Sequence, residues 1–253
     1  MTTYVLVGGF WIGAWAWRNV VEQLENSGHR AIALDLSGLG EKKHLGGPTV
    51  TLETHIAEVA RAIEDRSLGD VVLVGHSGGG AIVNGVADRI PARVAGIIFI
   101  DSGPVPEGSA IADFDGPDAR KETERNALDG WRLPLPPWVA LGEASLVGLD
   151  ETKRSFFRAH AADEPLHVAI DPVRLRGGLR SDMPRWAILT TIPLPALKEM
   201  IASGNPWFAP MGRPEWTLRE LPTGHWPMLS EPERLAEMLA EWPAEEVSRR
   251  KAS

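Results

Sequence analysis

The 253-residue sequence contains no cysteine, which excludes several kinds of chemistry at once. Disulfides, thiolate metal sites, iron–sulfur clusters and cysteine nucleophiles all require a thiol. Positive charge is also scarce, with 26 Lys and Arg against 34 Asp and Glu and a formal net charge of −8. The chain therefore lacks the basic surface by which proteins bind nucleic acids or acidic membranes.

Long hydrophobic runs are missing as well. No apolar stretch approaches the roughly 20 residues that a helix needs to span a bilayer. No positively charged segment of a signal peptide precedes the apolar run Tyr4–Val7. Because 43% of the residues are hydrophobic, the chain can still bury a substantial core. We expect a soluble, cytoplasmic, globular protein without a membrane partner.

Short apolar runs alternate with segments of helical periodicity. The runs have the length and composition of buried strands: Tyr4–Val7, Ala31–Leu34, Val71–Val74, Ala95–Ile100, Ala187–Leu189 and, more weakly, Trp216–Leu221. The spacing of apolar residues predicts helices at Trp15–Glu25, Leu52–Asp65 and Ala81–Ile90, and a last helix from about Pro232 to Leu239. This alternation is typical of βαβ units. We predict an α/β fold, a mostly parallel, doubly wound sheet of about six strands with helices on both faces.

The stretch between Pro104 and Met183 interrupts the alternation. It is rich in Pro, Asp and Arg and is far too long for a simple connection between two core strands. We interpret residues 104–183 as an inserted, largely helical cap. Residues 1–103 and 184–253 would then form the core.

The sequence Gly75-His76-Ser77-Gly78-Gly79 matches the pattern G-x-S-x-G and joins a predicted strand to a predicted helix. A serine on such a sharp turn needs small neighbours, because the backbone is strained and adjacent side chains would collide. Gly75 and Gly79 meet this need, so Ser77 is the candidate nucleophile. A simple Ser/Gly helix cap is the alternative interpretation.

Two further loops complete a candidate catalytic site. His225 lies between the last predicted strand and the last helix, from where it can act as general base toward Ser77. The glycine-rich turn that ends in Phe10 follows the first strand. It can direct the Phe10 N–H, together with that of Gly78, at a developing oxyanion. The alternative interpretation is a tight turn that has a structural role only.

Four motifs in this order resemble the α/β-hydrolase fold family. They are Leu6-Val7-Gly8-Gly9-Phe10, Asp35-Leu36-Ser37-Gly38-Leu39-Gly40, the turn around Ser77, and Gly224-His225-Trp226-Pro227-Met228-Leu229. The Gly/Trp-rich stretch 11–17 is similar to that of the esterase and hydroxynitrile-lyase branch. The resemblance covers residues 3–103 and 184–242 and implies a serine hydrolase that needs no cofactor.

Two positions depart from the family's pattern. Gly8 replaces a histidine that the family usually carries in the oxyanion loop, which removes that side chain's hydrogen bonds. The family's triad acid normally follows the strand that we place at Ala187–Leu189. Here the following turn, residues 190–195, contains no carboxylate.

Asp101 is the favoured substitute for the missing acid. It ends the strand Ala95–Ile100, and some relatives of this fold place the acid after that strand. An aspartate at a strand end is also a common turn former. Glu199 is the other candidate and would require an unusual loop.

Other residues predict the character of the binding pocket. The remaining histidines lack metal-ligand spacing and no strand precedes a phosphate-binding glycine motif, so we expect no metal and no cofactor. The chain has ten tryptophans. Four of them are candidates to line an apolar acyl pocket: Trp11, Trp131, Trp138 and Trp226.

We therefore predict a serine hydrolase that cleaves a small hydrophobic carboxylic ester or lactone, including acyl-homoserine lactones. Amide and thioester substrates stay open, and the sequence does not indicate an oligomeric state. A hydroxynitrile-type lyase is one alternative, but the resemblance then implies a lysine directly after the histidine, where Trp226 stands. A ligand-binding, weakly catalytic protein of the same fold is the other, and the missing acid after Leu189 favours it.

Overall fold

A six-stranded parallel sheet is the centre of the computed structural model, in which residues 1–243 are described. The strands of the chain are β1 (Thr3–Val7), β2 (Arg30–Leu34), β3 (Val71–His76), β4 (Val94–Ile100), β5 (Arg132–Leu133), β6 (Glu164–Pro165), β7 (Arg185–Leu189) and β8 (Trp216–Glu220). The sheet has the order β2-β1-β3-β4-β7-β8, and β5 pairs with β6 in a separate antiparallel ribbon. The predicted α/β fold is confirmed.

Helices cover both faces of this sheet. They are α1 (Arg18–Asn26), α2 (Leu52–Asp65), α3 (Gly79–Arg89), α4 (Ala119–Asn126), α5 (Glu151–His160), α6 (Leu166–Ile170), α7 (Leu194–Ala202), α8 (Pro227–Ser230) and α9 (Pro232–Ala240). The longest described helix, α2, has 14 residues, and none of those described is both long and apolar enough to cross a membrane.

Successive side chains of β1 point to opposite faces of the sheet, and this alternation produces two layers of hydrophobic core. Tyr4 and Leu6 pack with α1 and α9 on one face, whereas Val5 and Val7 pack with α2 and α3 on the other. Every residue of β3 and β4 is buried, since both strands lie in the middle of the sheet. The weaker pattern of Trp216–Leu221 has the opposite cause, because β8 is an edge strand with partly exposed residues.

The predicted cap contains less helix than expected. Between β4 and β7 the chain forms α4, α5, the single-turn α6 and the β5–β6 ribbon, joined by 3-10 turns and irregular segments. Closely spaced prolines explain this, because each one removes a backbone donor and fixes its own φ. The division into core and cap stays a prediction, and residues 244–253 of the predicted core lie outside the described residues.

The parallel arrangement of the strands brings the loops that carry the candidate site residues to one edge of the sheet. The carboxyl ends of β1, β3, β4, β7 and β8 all point the same way, so the loops that follow them lie side by side. In open α/β sheets, ligands bind at this edge.

Candidate active site

Ser77 occupies a strained position between β3 and α3. Its φ of 50° lies in the left-handed region, which residues other than glycine seldom adopt. A Cβ at Gly79 would come within 2.6 Å of the Gly8 carbonyl oxygen, and one at Gly75 within 2.7 Å of the Gly79 carbonyl oxygen. Small neighbours are thus a steric requirement, and the turn presents Ser77 at the edge of the sheet.

Asp101 and His225 form a direct pair. The Asp101 Oδ2 lies 2.7 Å from the His225 Nδ1, and only 5% of the Asp101 side chain is exposed. Burial by itself would raise the pKa of Asp101, but the hydrogen bond and charge of His225 and the donors of Thr191 together lower it. The carboxylate is therefore ionised at neutral pH and can orient the imidazole.

The turn after β7 has no carboxylate of its own, but it supplies hydrogen-bond donors to the carboxylate of Asp101. The backbone N–H groups of Thr190 and Thr191 each lie 3.0 Å from Asp101 Oδ1, and the Thr191 hydroxyl donates to Oδ2 at 2.8 Å. Asp101, which directly follows β4, thus contacts the turn at the carboxyl end of the neighbouring strand β7. The alternative acid, Glu199, is exposed on α7, and the structure pairs His225 with Asp101 instead.

Ser77 and His225 open into the same cavity. Between these two described side chains the structure contains no hydrogen bond. Such bonds are often long or poorly aligned in ligand-free enzymes and tighten in the reacting complex.

His76 joins two loops of the site, a role that sequence reasoning missed. Its Nε2 donates to the His225 carbonyl at 2.7 Å, and its Nδ1 accepts the Gly9 N–H at 3.4 Å. Burial, together with the charge of His225, lowers the pKa of His76 to about 3, so the ring stays neutral and can accept at one nitrogen while donating at the other. Its place directly before Ser77 was the available signal.

The Phe10 and Gly78 N–H groups are free within the part of the chain that the structure describes. Both residues line the cavity, and the Phe10 ring packs so closely on Gly78 that a Cβ there would lie 2.7 Å from the ring. Free, adjacent N–H groups beside a nucleophile are what an oxyanion hole requires.

The loop that carries the Phe10 N–H is held firmly despite the glycine at position 8. A Cβ at Gly8 would come within 2.7 Å of the Ile12 side chain, so the loop has closed over this position. Asp35, the first residue of the second family-like motif, accepts the Ala14 N–H at 2.7 Å. Together with the His76 contact, these interactions fix the loop without the missing histidine.

A cavity of about 450 Å³ adjoins Ser77, and most of its lining is apolar. Of the four predicted tryptophans, Trp11 and Trp226 line it, but Trp131 and Trp138 do not, so the prediction is wrong for that pair. Trp138 instead packs against Phe157 with the Arg158 guanidinium 4.5 Å above its ring, and Trp131 packs near Gly46.

Another part of the cavity wall comes from four apolar residues that were not predicted, three of them aromatic. Phe114, Trp207, Phe208 and Met211 line it. Phe114 makes edge contacts with Trp207 and Phe208, at 5.3 and 5.9 Å between ring centroids. These residues belong to two segments far apart in the sequence, and only the fold brings them together.

The described residues contain no group of three or more His, Cys, Asp or Glu side chains placed to hold a metal ion. The reactive groups that the site does present are the Ser77 hydroxyl, the His225 imidazole and the backbone donors.

Comparison with known proteins connects this geometry to a family. Residues 4–238 match the Alpha/beta hydrolase family. The chain is 31% identical to a carbendazim hydrolyzing esterase of Nocardioides sp. (strain SG-4G), over 95% of this chain and 99% of that protein. It is also 35% identical to the putative chloroplastic methylesterase 12 of Arabidopsis thaliana, but over only 44% of this chain and 32% of that protein.

The fold has close counterparts among solved structures. An extracellular alpha/beta-hydrolase from a Paenibacillus species superposes with a TM-score of 0.78 at 23% sequence identity, over 95% of this chain and 98% of that one. The match to the family, residues 4–238, spans almost all of the described chain. The chain belongs to the alpha/beta hydrolase family.

Proposed function

We propose that this protein is a serine esterase that cleaves small, hydrophobic carboxylic esters through an acyl-enzyme on Ser77. The observation that carries the proposal is the 2.7 Å contact between Asp101 and His225, which line the same mostly apolar cavity as Ser77. The relative that matches over its full length is named as an esterase, which supports ester hydrolysis as the reaction.

The proposed reaction has two halves. Ser77 Oγ attacks the ester carbonyl while His225 Nε2 takes its proton, and Asp101 holds the opposite ring nitrogen and stabilises the imidazolium. The Phe10 and Gly78 N–H groups bind the resulting oxyanion. The intermediate collapses, the C–O bond breaks, and His225 returns the proton to the departing alcohol. Water then attacks the acyl-enzyme with His225 again as base, the bond to Ser77 Oγ breaks, and His225 returns the proton to Oγ as the acid is released.

The cavity indicates the kind of substrate. Its volume of about 450 Å³ suits a small molecule, and its aromatic wall favours an apolar acyl or alcohol group. A lactone is a cyclic ester and undergoes the same chemistry, so lactones, including acyl-homoserine lactones, form the second group to test. Methyl esters belong in the same panel, because a relative that matches over part of its length is named as a putative methylesterase.

The two alternatives each lack a supporting contact. The missing acid after β7 favours a weakly catalytic binding protein, whereas the 2.7 Å contact between Asp101 and His225 supports a complete triad. A hydroxynitrile-type lyase was suggested by the Trp-rich loop, but the residue after His225 is Trp226, a buried apolar side chain without a charge.

The test is the intact mass after brief exposure to a fluorophosphonate, with Ser77→Ala as the control. We expect one adduct on the wild-type protein and none on the variant, followed by turnover of members of the ester panel. A folded wild-type protein that forms no adduct and cleaves no ester would refute the proposal. An adduct that persists in Ser77→Ala would refute the assignment of the nucleophile.

A further inference from the structure

Trp11 is held by three hydrogen bonds from the segment between β4 and β7. Its backbone N–H donates to Glu164 Oε2 at 3.2 Å, its carbonyl accepts the Ala162 N–H at 3.0 Å, and its indole N–H donates to the Leu133 carbonyl at 2.9 Å. The φ of Trp11 is 68°, in the left-handed region. A non-glycine residue persists there only where its surroundings impose the conformation.

This anchoring bears directly on the Phe10 N–H. The peptide that carries it lies between two peptides that are each held from outside the loop. The preceding one donates the Gly9 N–H to His76, and the following one donates the Trp11 N–H to Glu164. Since an oxyanion donor works only when its direction is fixed beforehand, both anchors set the orientation of this N–H.

Glu164 is unusual because it is an acidic residue that is almost completely buried. It is 1% exposed, and the mechanism does not use it. Burial raises the pKa of Glu164 to about 8, against the opposing effect of the hydrogen bond from Trp11. The carboxyl group is therefore uncharged at neutral pH, and it contacts the loop as a neutral acceptor.

We propose that Glu164 is a positioning residue of the oxyanion hole, which fixes the Phe10 N–H by holding the Trp11 N–H. The inference rests on the proposed function for its catalytic consequence, but the contact itself can be tested without a substrate. It also makes the segment between β4 and β7 part of the catalytic apparatus, because the ribbon of β5 and β6 carries the anchor.

The neighbouring elements either have no ionisable side chain or have charged groups that are already paired. The ionisation of Glu164 itself is therefore the event that makes this contact depend on pH. The loop 8–13 has no ionisable side chain, and Asp35 lies beyond it against Ala14. On the ribbon and on α6 the charged groups are already paired: Arg132 with Asp129 and Asp163, and His167 with Asp171. A buried carboxylate without a cation partner draws in water, so we expect ionisation of Glu164 to loosen the contact with Trp11.

The first measurement is hydrogen exchange of the Trp11 amide, followed by NMR in the wild type, Glu164→Gln and Glu164→Leu. Gln keeps an acceptor oxygen and cannot ionise, whereas Leu removes the acceptor. We expect exchange at least about tenfold faster in Glu164→Leu than in the wild type, and protection in Glu164→Gln. Equal protection in all three proteins would overturn the proposal.

The second measurement is steady-state ester hydrolysis by the same proteins, with the rate of Ser77→Ala subtracted to remove alkaline hydrolysis. Complete removal of an oxyanion donor costs about 10²–10³ in kcat, so a misdirected donor in Glu164→Leu should lower kcat by roughly 10- to 100-fold with little change in KM. Glu164→Gln should recover most of this loss. A change confined to KM, or an equal loss in both variants, contradicts positioning.

The pH profile is the readout that a merely structural role would not change. We expect wild-type kcat to fall as the pH rises through about 8, and the kcat of Glu164→Gln to stay level over the same range. Parallel profiles would overturn the proposal even if Glu164→Leu fails to fold. If the wild type cleaves no ester, the proposed function fails by itself, and the exchange rates still confirm or overturn the contact.

Discussion

Thr191 binds both carboxylate oxygens of Asp101, with its N–H 3.0 Å from Oδ1 and its hydroxyl 2.8 Å from Oδ2. The turn after β7 therefore binds the acid that directly follows β4. The Oδ2 atom that receives the hydroxyl is also the one that contacts His225. Thr191 thus sets the direction in which Asp101 meets the imidazole.

Thr191→Val should lower kcat about fivefold to tenfold relative to Thr190→Val. A hydrogen bond to a charged group contributes about 1.5–3 kcal/mol, and three other donors to Asp101 remain in the variant. The Thr190 hydroxyl is buried and has no partner among the described residues, so its removal is a control of matched size and position. Steady-state kinetics with one ester measures the ratio, and a ratio near one would mean that the Thr191 hydroxyl does not orient Asp101.

Asp101→Asn should reduce kcat by about 10⁴ while the protein stays folded. An amide in this position donates toward Nδ1 and favours the tautomer that cannot accept the serine proton. The matched control is Glu199→Gln, because Glu199 is the other acid that the sequence suggested and it is exposed on α7. If Asp101→Asn keeps full turnover, or if Glu199→Gln loses as much, Asp101 is not the acid.

Much of this arrangement follows from the sequence because it depends on neighbours along the chain. The buried apolar runs that became β3 and β4 identify the two central strands, and the residues that follow them are Ser77 and Asp101. His225 is recognisable for the same reason, since it lies in the short connection from β8 to α8. Parallel strands bring these three ends together whatever the details of packing.

The parts that sequence reasoning missed depend on contacts between distant segments. His76 meets the carbonyl of a residue 149 positions away, and Glu164 meets an amide 153 positions away. The assignment of Trp131 and Trp138 to the pocket rests on their residue type and their place in the predicted cap. The path of the chain between β4 and β7 decides which aromatic rings face the cavity, and no periodic pattern records that path.

Gly79→Ala should destabilise the protein by about 3 kcal/mol or prevent folding. The new Cβ would lie 2.6 Å from the Gly8 carbonyl oxygen and 2.7 Å from that of Val7, and backbone atoms cannot move aside cheaply. Gly69→Ala is the control, because nothing lies within 4 Å of a Cβ there. Urea unfolding of the two variants measures the difference, and equal stabilities would mean that β1 and α3 are packed less closely than described.

Glu164→Gln should make thermal stability less dependent on pH. The pKa of Glu164 is about 8 in the folded protein and its ordinary value is 4.5, so between these pH values the folded state holds a proton that the unfolded state releases. The stability from the neutral carboxyl group is fully present below about pH 4.5 and is lost as the pH rises through about 8. The glutamine variant has no such proton to lose.

Melting temperatures measured from pH 5 to pH 9 test this directly. The wild type loses stability over about three pH units below the pKa of Glu164, at about 1.4 kcal/mol per unit, so we expect the variant to gain roughly 8–17 °C on the wild type across that range. Glu22→Gln, on the exposed side of α1, removes the same charge where it is solvated and should run parallel to the wild type. If Glu164→Gln also runs parallel, the carboxyl group of Glu164 is already ionised in the folded protein, and it contacts Trp11 as a carboxylate.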